Sequence, residues 1–552
     1  MKTHISNIII LVALCALLFG VHAGGYSFWG RHGEARRAEV SREMVASGDW
    51  TVPRLNGEPF VTKPPLFYWA VAAAFTLTGQ FDELSARLPS ILAGTLGVVV
   101  VYFWAALIFA PRIGLFAGII LATNVMYGSM ARSAEVDIML TLFISATLCC
   151  FSVAYLWQSR ETPQGWHRSH WMFLLVAFFL AMANLSKNPI GLVVPLLAVG
   201  GFILIRREWK LILAMKPWWQ VLIVLAVMLP WFIMVIRRVP NFFDILFQET
   251  LGRYTSPDET PHKEAFYFYI PMLGAFAPWV LFLPGAIASL WNKRKTQAIA
   301  PMHLLIIISA VATFLLFSSV GSKRAYYLLP MYPCLAIIVA KFWEDEIERQ
   351  AGVSRRWREI PLLLFAGLAC LAGIGLPVTA FAIVPLDKAM SLLFGVLLFG
   401  SGLWSFFQMK QQDRIRQFIA LSLITVIVYL AVIMAIMPEI NRYRSRKEFF
   451  QQAAALAGNH QVIDYKYEGY GIQFYMQRTI TVITDAEKLR ELLARSEPVF
   501  ILMENNPYEV LQKEHPDLVA KFEVLMDQSW TSATNPKRVR RMLFIKAGVE
   551  AS

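Results

Sequence analysis

Residues 29–69 read WGRHGEARRAEVSREMVASGDWTVPRLNGEPFVTKPPLFYW, and this stretch follows the first long apolar run of the chain. It is dense in charged side chains, namely Glu34, Arg36, Arg37, Glu39, Arg42, Glu43, Asp49, Arg54, Glu58 and Lys63. Charged groups between hydrophobic segments lose several kcal/mol when they leave water, so they are usually retained for chemistry or ligand binding. We therefore expect the functional site to lie in this first loop.

The composition around this loop is that of a multi-pass membrane protein. Hydrophobic residues make up 57% of the 552 residues and charged residues 16%, whereas soluble domains have about 45–50% and about 25%. We predict a polytopic α-helical protein of about 13 transmembrane helices. The segment 66–79 is too short to span and is expected to be re-entrant or interfacial. The apolar windows lie near 7–23, 88–109, 113–128, 136–157, 171–186, 188–205, 218–236, 266–290, 302–320, 325–340, 359–383, 388–408 and 415–437.

The N-terminus has two readings. Lys2, an apolar run over 8–19 and the small residues 21–23 are typical of a signal peptide. An uncleaved first span is favoured, because a multi-span protein needs no separate export signal. Either reading puts the first loop outside the cytoplasm. With the N-terminus inside, the short loops rich in Lys and Arg all fall on the cytoplasmic side, so we attribute part of the net charge of +13 to topology and none of it to nucleic-acid binding.

From about residue 438 the composition becomes mixed and polar. We predict a soluble α/β domain over 438–552, following a membrane domain over 1–437. A helix is expected from Asp485 to Arg495, with Asp485 as its N-cap. The five cysteines lie in apolar runs whose spacing indicates neither a disulfide framework nor a metal cluster. The predicted strands are 461–465, 472–476, 479–484, 499–503 and 540–546.

Within the first loop, residues 34–47 fit an amphipathic helix that ends at Gly48. The spacing allows the ion pairs Glu34–Arg37, Arg36–Glu39 and Glu39–Arg42, and Asn56-Gly57 is typical of a turn. A helix lying on the membrane surface and ion-paired to itself would explain Arg42, Glu43 and Asp49. It does not explain why an acid and two cations crowd the helix start.

Cations recur in several of the predicted outer loops, with a few acids among them. Purely structural roles are the alternatives, namely a snorkelling lysine for Lys63 and a helix N-cap for Asp137. If these loops converge, they form a cavity suited to an anionic lipid head group. The cations are Arg36, Arg37, Lys63, Lys187, Arg253 and Lys323, and the acids are Glu34 and Asp137.

These motifs resemble the GT-C superfamily of lipid-linked-sugar glycosyltransferases. The closest resemblance is to bacterial relatives of the dolichyl-phosphate-mannose–protein mannosyltransferases, including the lipid A aminoarabinose transferases. The family pattern is an acidic pair, then Arg-Tyr-Ala-Glu, Ser-Gly-Asp-Trp, Leu-Asn-Gly and Lys-Pro-Pro, which here stands as GEARRAEVSREMVASGDWTVPRLNGEPFVTKPP over 33–65. Further segments that resemble family motifs are RLPS (87–90), LSKNPIGL (185–192), ETLGRYTS (249–256) and GSKRAYYLLPMYP (321–333).

The resemblance implies a GT-C fold in the bacterial inner membrane. The first loop, 24–87, and the C-terminal domain would face the periplasm. The implied activity is inverting transfer of a sugar from an undecaprenyl-phosphate donor to a periplasmic acceptor. Lipid A or lipopolysaccharide is favoured as acceptor, with a protein Ser/Thr or another envelope glycan as alternatives.

Site roles follow from the chemistry of that transfer. The leaving group is a phosphate anion that needs charge stabilisation. A hydroxyl acceptor would need a general base, whereas a phosphate acceptor needs only positioning. Glu34, Asp137 and Lys63 are the candidate catalytic residues. Arg36, Arg37, Lys187, Arg253 and Lys323 are the candidate groups for binding the donor phosphate and the substrate.

The chain departs from the family pattern at three positions. Gly33 stands where the first acid of the pair is expected, so Glu34 is the candidate replacement, shifted by one position. Arg37 replaces a tyrosine. Thr62 replaces a frequent glutamate, which weakens the case for a metal there, so no cofactor is assigned and a divalent metal is left open.

Two functions other than catalysis are alternatives for this sequence. A lipid-linked-sugar transporter should show internal repeats with broken helices in two halves, and the sequence has no such halves. A non-catalytic membrane scaffold would be consistent with the lost acid at position 33.

Overall fold

The structure is a computed structural model that describes residues 2–29, 33–158, 168–248, 272–295, 298–320, 323–467, 469–494, 498–531 and 539–547. Most of it is helical. Ten helices in these ranges are long and apolar enough to cross a membrane, or up to 11 with one bent pair. They are Lys2–Gly20, Glu83–Ile108, Val136–Gln158, Arg168–Ser186, Pro217–Arg238, Pro301–Ser319, Ala325–Ile347, Arg356–Ala382, Lys388–Gln411 and the long helical run Arg414–Ala457.

This count is lower than the predicted thirteen for identifiable reasons. The window 113–128 is two helices, Pro111–Ala122 and Val125–Ala131, bent by 71°. The side chain of Asn124 accepts a hydrogen bond from Tyr127 N and so starts a new helix there. Ile190–Arg206 has 17 residues, just short of a full span. The window 266–290 is no single helix in its described part, which consists of short 3₁₀ turns and the start of Leu283–Arg294.

The other described helices are short. Leu66–Thr78 has 13 residues, which agrees with the prediction of a segment too short to span. The remaining helical segments are Glu34–Ser47, Lys210–Ala214, Phe242–Phe247, Leu273–Phe276, Trp279–Phe282, Gly471–Met476, Ala486–Leu493, Asn505–Glu514 and Pro516–Val519; Ala325–Met331 is a 3₁₀ segment at the start of its span, and Met437–Arg444 and Lys447–Ala457 close the last one.

The first loop folds as predicted at the local level. The helix Glu34–Ser47, called the first-loop helix below, ends where Gly48 takes a left-handed φ of 69°. Asn56 and Gly57 both have positive φ and close a hairpin between β1 (Arg54–Leu55) and β2 (Glu58–Pro59).

The prediction of a surface helix is wrong. Most of the first-loop helix is buried, including Arg37, Glu39, Arg42 and Glu43. It packs against Leu66–Thr78 on one side and against the C-terminal helix Gly471–Met476 on another. A helix enclosed in this way can hold its charges at fixed positions away from water.

The C-terminal region contains a five-stranded mixed sheet. Its strands are β3 (Val462–Tyr465), β4 (Thr481–Ile483), β5 (Val499–Glu504), β6 (Phe522–Thr531) and β7 (Val539–Ala547). They are ordered β4-β3-β5-β7-β6 in the sheet. The pairs β3–β4 and β3–β5 are parallel, and β5–β7 and β6–β7 are antiparallel. An α/β region is therefore confirmed.

Two C-terminal predictions need correction. Segment 472–476, expected to be a strand, is the helix Gly471–Met476, and all of its residues are buried. A short apolar run buried on every side carries no periodicity that separates helix from strand. The strand β6 was missed. The helix after Asp485 is confirmed, with Asp485 accepting a hydrogen bond from Glu487 N.

The C-terminal region is hydrogen-bonded to the first loop. Asn56 Nδ2 donates to Ile480 O, and Ile480 N donates to Asn56 Oδ1, both at 2.7 Å. Tyr475 OH donates to Glu83 Oε1 at 2.9 Å and accepts from Phe28 N at 2.8 Å. The sheet domain thus braces the first loop at several points.

Candidate active site

A buried ion pair joins the first-loop helix to the turn before the helix Val136–Gln158. Arg37 Nη1 lies 2.9 Å from Glu135 Oε1, and Arg37 Nη2 lies 2.6 Å from Glu135 Oε2. The two side chains are only 11% and 14% exposed. Charges held this far from water interact more strongly than surface charges do.

A second ion pair, flanked by two tyrosine rings, belongs to the same cluster. Lys187 Nζ lies 2.6 Å from Asp137 Oδ1, and the Tyr327 and Tyr326 ring centroids lie 4.6 Å and 6.0 Å from the ammonium. Burial lowers the pKa of Lys187, but Asp137 and the tyrosines raise it by more. The net pKa lies above its ordinary value, so Lys187 is a permanent cation.

The Glu135 carboxyl feels several of the charges in this cluster. Burial raises its pKa, the attraction of Arg37 opposes that shift, and the carboxylates of Asp137 and Glu34 add to it. The net pKa lies above the ordinary value of a glutamate. These mutual effects show that Glu34, Arg37, Glu135, Asp137 and Lys187 share one electrostatic environment.

Glu34 is held on two sides. Arg87 donates to both of its oxygens, from Nε at 2.8 Å and from Nη2 at 3.0 Å. Ala134 N donates to Oε1 at 2.8 Å. Arg87 is itself fully buried, and its guanidinium lies 4.3 Å from the Tyr26 ring centroid. Glu34 therefore ties the first loop to the helix Glu83–Ile108 and to the turn before Val136–Gln158.

Of the ion pairs predicted within the first-loop helix, one forms. Arg42 donates to both oxygens of Glu39 at 2.8 and 2.7 Å. Glu34 and Arg37 instead find partners on other segments, as described above. Glu34 and Arg37 pair with residues of other segments because those residues approach the start of the helix and are buried together with it.

Arg36 differs from its neighbours in having no ion-pair partner among the described residues. Its guanidinium carbon lies 5.4 Å from the Phe60 ring centroid. Its Nε is buried and donates no hydrogen bond to any acceptor in the described part of the chain. A buried donor left in this state is costly unless a ligand completes it.

Two of the remaining predicted cations, Lys63 and Lys323, have hydrogen bonds to nearby backbone carbonyls. Lys63 Nζ donates to Thr62 O at 3.1 Å, and Lys323 Nζ donates to Val320 O at 2.5 Å. Lys323 precedes the tyrosines that face Lys187. The predicted residue Arg253 lies outside the described residues.

Sequence reasoning missed several members of the cluster. Glu135, Tyr326 and Tyr327 were named only within longer motifs, and Arg87 only as part of RLPS. Glu135 lies two residues before Asp137, and this spacing was the one signal available. The interaction of Arg324 Nη1 with Tyr326 OH at 2.8 Å could not be foreseen.

The described residues show no cluster of three or more His, Cys, Asp or Glu side chains suited to a metal ion. At the position before Lys63, Thr62 offers a hydroxyl in place of a carboxylate, which is a poor ligand for a hard divalent cation. The residues at this point therefore do not fit a divalent metal ion.

Comparison with known proteins gives the family. Residues 15–246 match the family described as dolichyl-phosphate-mannose-protein mannosyltransferase. The chain is 30% identical over 408 residues to the undecaprenyl phosphate-alpha-4-amino-4-deoxy-L-arabinose arabinosyl transferase of Edwardsiella ictaluri, covering 72% of this chain and 70% of that protein. The chain belongs to this arabinosyl transferase family.

A second relative, from Sodalis glossinidius, is 29% identical over 335 residues, covering 60% of this chain and 58% of that protein. Among solved structures, ArnT from Cupriavidus metallidurans bound to undecaprenyl phosphate superposes with a TM-score of 0.76 at 22% identity, covering 97% of both chains. The archaeal oligosaccharyltransferase AglB from Archaeoglobus fulgidus has a TM-score of 0.50 at 11% identity, covering 92% of this chain and 70% of that chain.

These matches confirm the GT-C fold and the family expected from the first-loop motif. The chain is a multi-pass membrane protein and a glycosyltransferase. The reading of the chain as a transporter or a scaffold is therefore not supported.

Proposed function

We propose that this enzyme transfers a sugar from an undecaprenyl-phosphate donor to lipid A or another lipopolysaccharide acceptor. The observation that carries this proposal is the buried cluster of cations and carboxylates at the start of the first-loop helix, which also carries Arg36, whose Nε has no hydrogen-bond partner in the described chain. The similarity to the two aminoarabinose transferases described above supports an aminoarabinose as the sugar.

Cations are the groups that the donor chemistry demands. When the bond between the sugar and the phosphate breaks, negative charge develops on the departing phosphate. Arg36 is the best candidate to meet it, because its buried Nε has no partner in the described chain. We assign Lys63, Lys187, Arg253 and Lys323 supporting roles in holding the phosphate and sugar.

The acids of the cluster would orient these cations. Asp137 fixes the Lys187 ammonium, and Glu34 fixes Arg87 and the turn at Ala134. The sequence assigns Glu34 and Asp137 as candidate bases, and in the structure both are occupied by strong partners. We therefore propose that they contribute to catalysis by holding charge in place.

We further propose that the enzyme lies in the bacterial inner membrane with this cluster on the periplasmic side. The distribution of Lys and Arg among the connecting loops supports that orientation. The division into a membrane domain over 1–437 and a periplasmic domain over 438–552 is part of the same proposal. The separate sheet of the C-terminal region supports it.

The test is transfer by the full chain in lipid nanodiscs. The donor is undecaprenyl phosphate-linked 4-amino-4-deoxy-L-arabinose, the acceptor is lipid A, and the product is detected by mass spectrometry. Arg36→Ala should raise the donor KM by about 10–100-fold, because a charge-assisted contact contributes about 1.5–3 kcal/mol.

Arg54→Ala is the matched control. Arg54 lies in the same loop, is 37% exposed and bonds to Gly57 O and Asp49, so its loss should leave the donor KM unchanged. An unchanged KM in Arg36→Ala would contradict its phosphate role. Transfer to protein Ser/Thr in place of lipid A would favour the mannosyltransferase-like alternative, which the family match over residues 15–246 also supports.

A further inference from the structure

Gly33 cannot supply the acid that the family pattern places at that position. Its backbone has φ 97° and ψ −122°, a conformation that residues with a side chain rarely adopt. The loss of the acid is therefore built into the backbone at the start of the first-loop helix. Either the site works without that acid or another segment provides it.

A carboxylate from another segment does stand beside Gly33. A Cβ placed on Gly33 would lie 3.7 Å from Glu135 Oε1, within van der Waals contact. Glu135 lies in the turn that precedes Val136–Gln158, and it approaches the place that a side chain on residue 33 would occupy. Position 33 and position 135 are thus spatial alternatives for one carboxylate.

The turn that carries Glu135 is held firmly. Glu135 N donates to Ser133 O at 2.7 Å and lies 3.4 Å from Ser90 Oγ. The preceding residue, Ala134, donates its N–H to Glu34. A carboxylate on such a turn has a defined position, as a group that meets a substrate needs.

Both oxygens of Glu135 lie against Arg37, but they are held differently. Arg37 Nη1 donates to Oε1 at 2.9 Å, whereas Nη2 lies 2.6 Å from Oε2 without normal hydrogen-bond geometry. Both oxygens of Glu34 receive hydrogen bonds from Arg87, and Asp137 Oδ1 receives the Lys187 ammonium. Glu135 Oε2 is therefore held by charge attraction and not by a hydrogen bond within the described chain.

We propose that Glu135 replaces the family acid missing at Gly33 and acts as the general base on the acceptor. This proposal rests on the proposed function. The acceptor oxygen gives its proton to the Glu135 carboxylate and forms a bond to the sugar C1. The bond between C1 and the donor oxygen breaks, and undecaprenyl phosphate leaves with the electron pair. The same step serves a singly protonated phosphate and a hydroxyl.

The charge environment suits this role. Burial keeps the pKa of Glu135 above that of an ordinary glutamate, and a base works best when its pKa approaches the working pH. Arg37 stands where the family pattern has tyrosine, and its positive charge limits the rise. The exchange of an acid for glycine at 33 and of tyrosine for arginine at 37 is then one coordinated change around Glu135.

The experiment measures transfer by Glu135→Gln in the nanodisc assay described above. We expect kcat to fall by about 10²–10³-fold, while binding of undecaprenyl phosphate is retained. Wild-type kcat should fall as the pH drops through the raised pKa of Glu135, because the protonated base cannot accept a proton. That acid limb should be absent in Glu135→Gln, and Glu135→Asp should recover part of the activity.

A double variant separates a base from a mere counter-charge to Arg37. The double variant Arg37→Tyr with Glu135→Gln is compared with Arg37→Tyr alone, because Arg37 is itself a candidate phosphate ligand. If Glu135 only neutralises Arg37, the two variants should have the same kcat, whereas if Glu135 is the base the double variant should be slower by about the factor that separates Glu135→Gln from wild type. Equal kcat in these two variants, or a Glu135→Gln enzyme with normal kcat and an unchanged pH profile, would overturn the proposal.

Donor hydrolysis without acceptor distinguishes this proposal from the proposed function. A base that activates an acceptor also activates water, so wild type should hydrolyse the donor slowly and Glu135→Gln more slowly still. Hydrolysis that depends on Glu135 without transfer to lipid A would refute the acceptor and support the base. Transfer to lipid A that is independent of Glu135 would do the reverse, and an absence of both reactions in wild type would refute both.

Discussion

The span Ala325–Ile347 has a charged cluster at each end, and the two clusters are built differently. At its start, Tyr326 and Tyr327 face Lys187 in the active-site cluster. Toward its other end, about 30 Å away at the rise of a helix, lie three consecutive buried acids, Glu344, Asp345 and Glu346. We call these acids and their cations the helix-end cluster.

In the helix-end cluster every acid meets a cation from a neighbouring helix or its flank. Arg112 lies 2.5 Å from Glu344, and Lys293 and Lys341 lie 2.6 and 2.5 Å from Asp345. Arg358 pairs with Glu346. These pairs join helix ends, which is what a structural cluster needs. The active-site cluster instead joins loops and turns, and Arg36 beside it in sequence has no ion-pair partner in the described chain.

The comparison teaches that burial and ion pairing alone do not identify a catalytic site. The informative feature is the kind of segment that carries the charges, because a buried guanidinium Nε without a hydrogen-bond partner in the described chain occurs both at Arg36 and at Arg358. If this is correct, substitutions at the two ends of the same span should separate activity from stability.

The largest effect is expected for Lys187→Met. Removing one partner of a buried pair costs about 3–5 kcal/mol, because Asp137 is left charged and unpaired. Transfer should also fall by about 10²-fold or more, since a cation worth several kcal/mol leaves the site. Chemical denaturation and the lipid A assay measure the two effects.

The matched control is Asp137→Asn combined with Lys187→Met. The double variant removes both charges, so most of the stability should return while transfer stays low. Full recovery of transfer would place this pair among the structural ones and remove the contrast with the helix-end cluster.

A loss of stability without a loss of activity is expected for Glu346→Gln. Arg358 is fully buried and would lose its main counter-charge, at a cost of about 3 kcal/mol. Because the site lies at the far end of the span, kcat/KM at a temperature where the protein is folded should stay within about twofold. A large change in the pH profile of transfer would contradict the structural assignment.

The smallest effect is expected at the contact between the C-terminal region and the first loop. Asn56→Ala loses two backbone hydrogen bonds to Ile480, each contributing about 1 kcal/mol. Alanine also tolerates the positive φ of position 56 less well than asparagine does. Asn56→Gly loses the same bonds without that strain.

Limited proteolysis of the C-terminal region reads out this contact. Both variants should be cleaved faster than wild type, and alanine faster than glycine. Equal resistance in all three proteins would mean that the other contacts, such as Tyr475 with Glu83, hold the domain in place without Asn56.

Local features of this protein could be predicted from its sequence. The first-loop helix, its end at Gly48 and the turn at Asn56-Gly57 follow from residue preferences that act within a few positions. The apolar windows identify most spans, and the first-loop motif identifies the family. The break at Asn124 and the buried helix Gly471–Met476 escaped because hydropathy does not report bends, and a short buried run has no period.

The partners of the charged groups were decided only by the tertiary structure. Spacing within a helix predicts pairs such as Glu34–Arg37, but those two residues pair with Arg87 and Glu135, which are distant in sequence. Burial is also a tertiary property, and it turned an expected surface helix into an enclosed one. The sequence alone determined which residue types the site has and that an acid is missing at Gly33. The fold decided which carboxylate stands beside that gap, because only the meeting of distant segments brings Glu135 there.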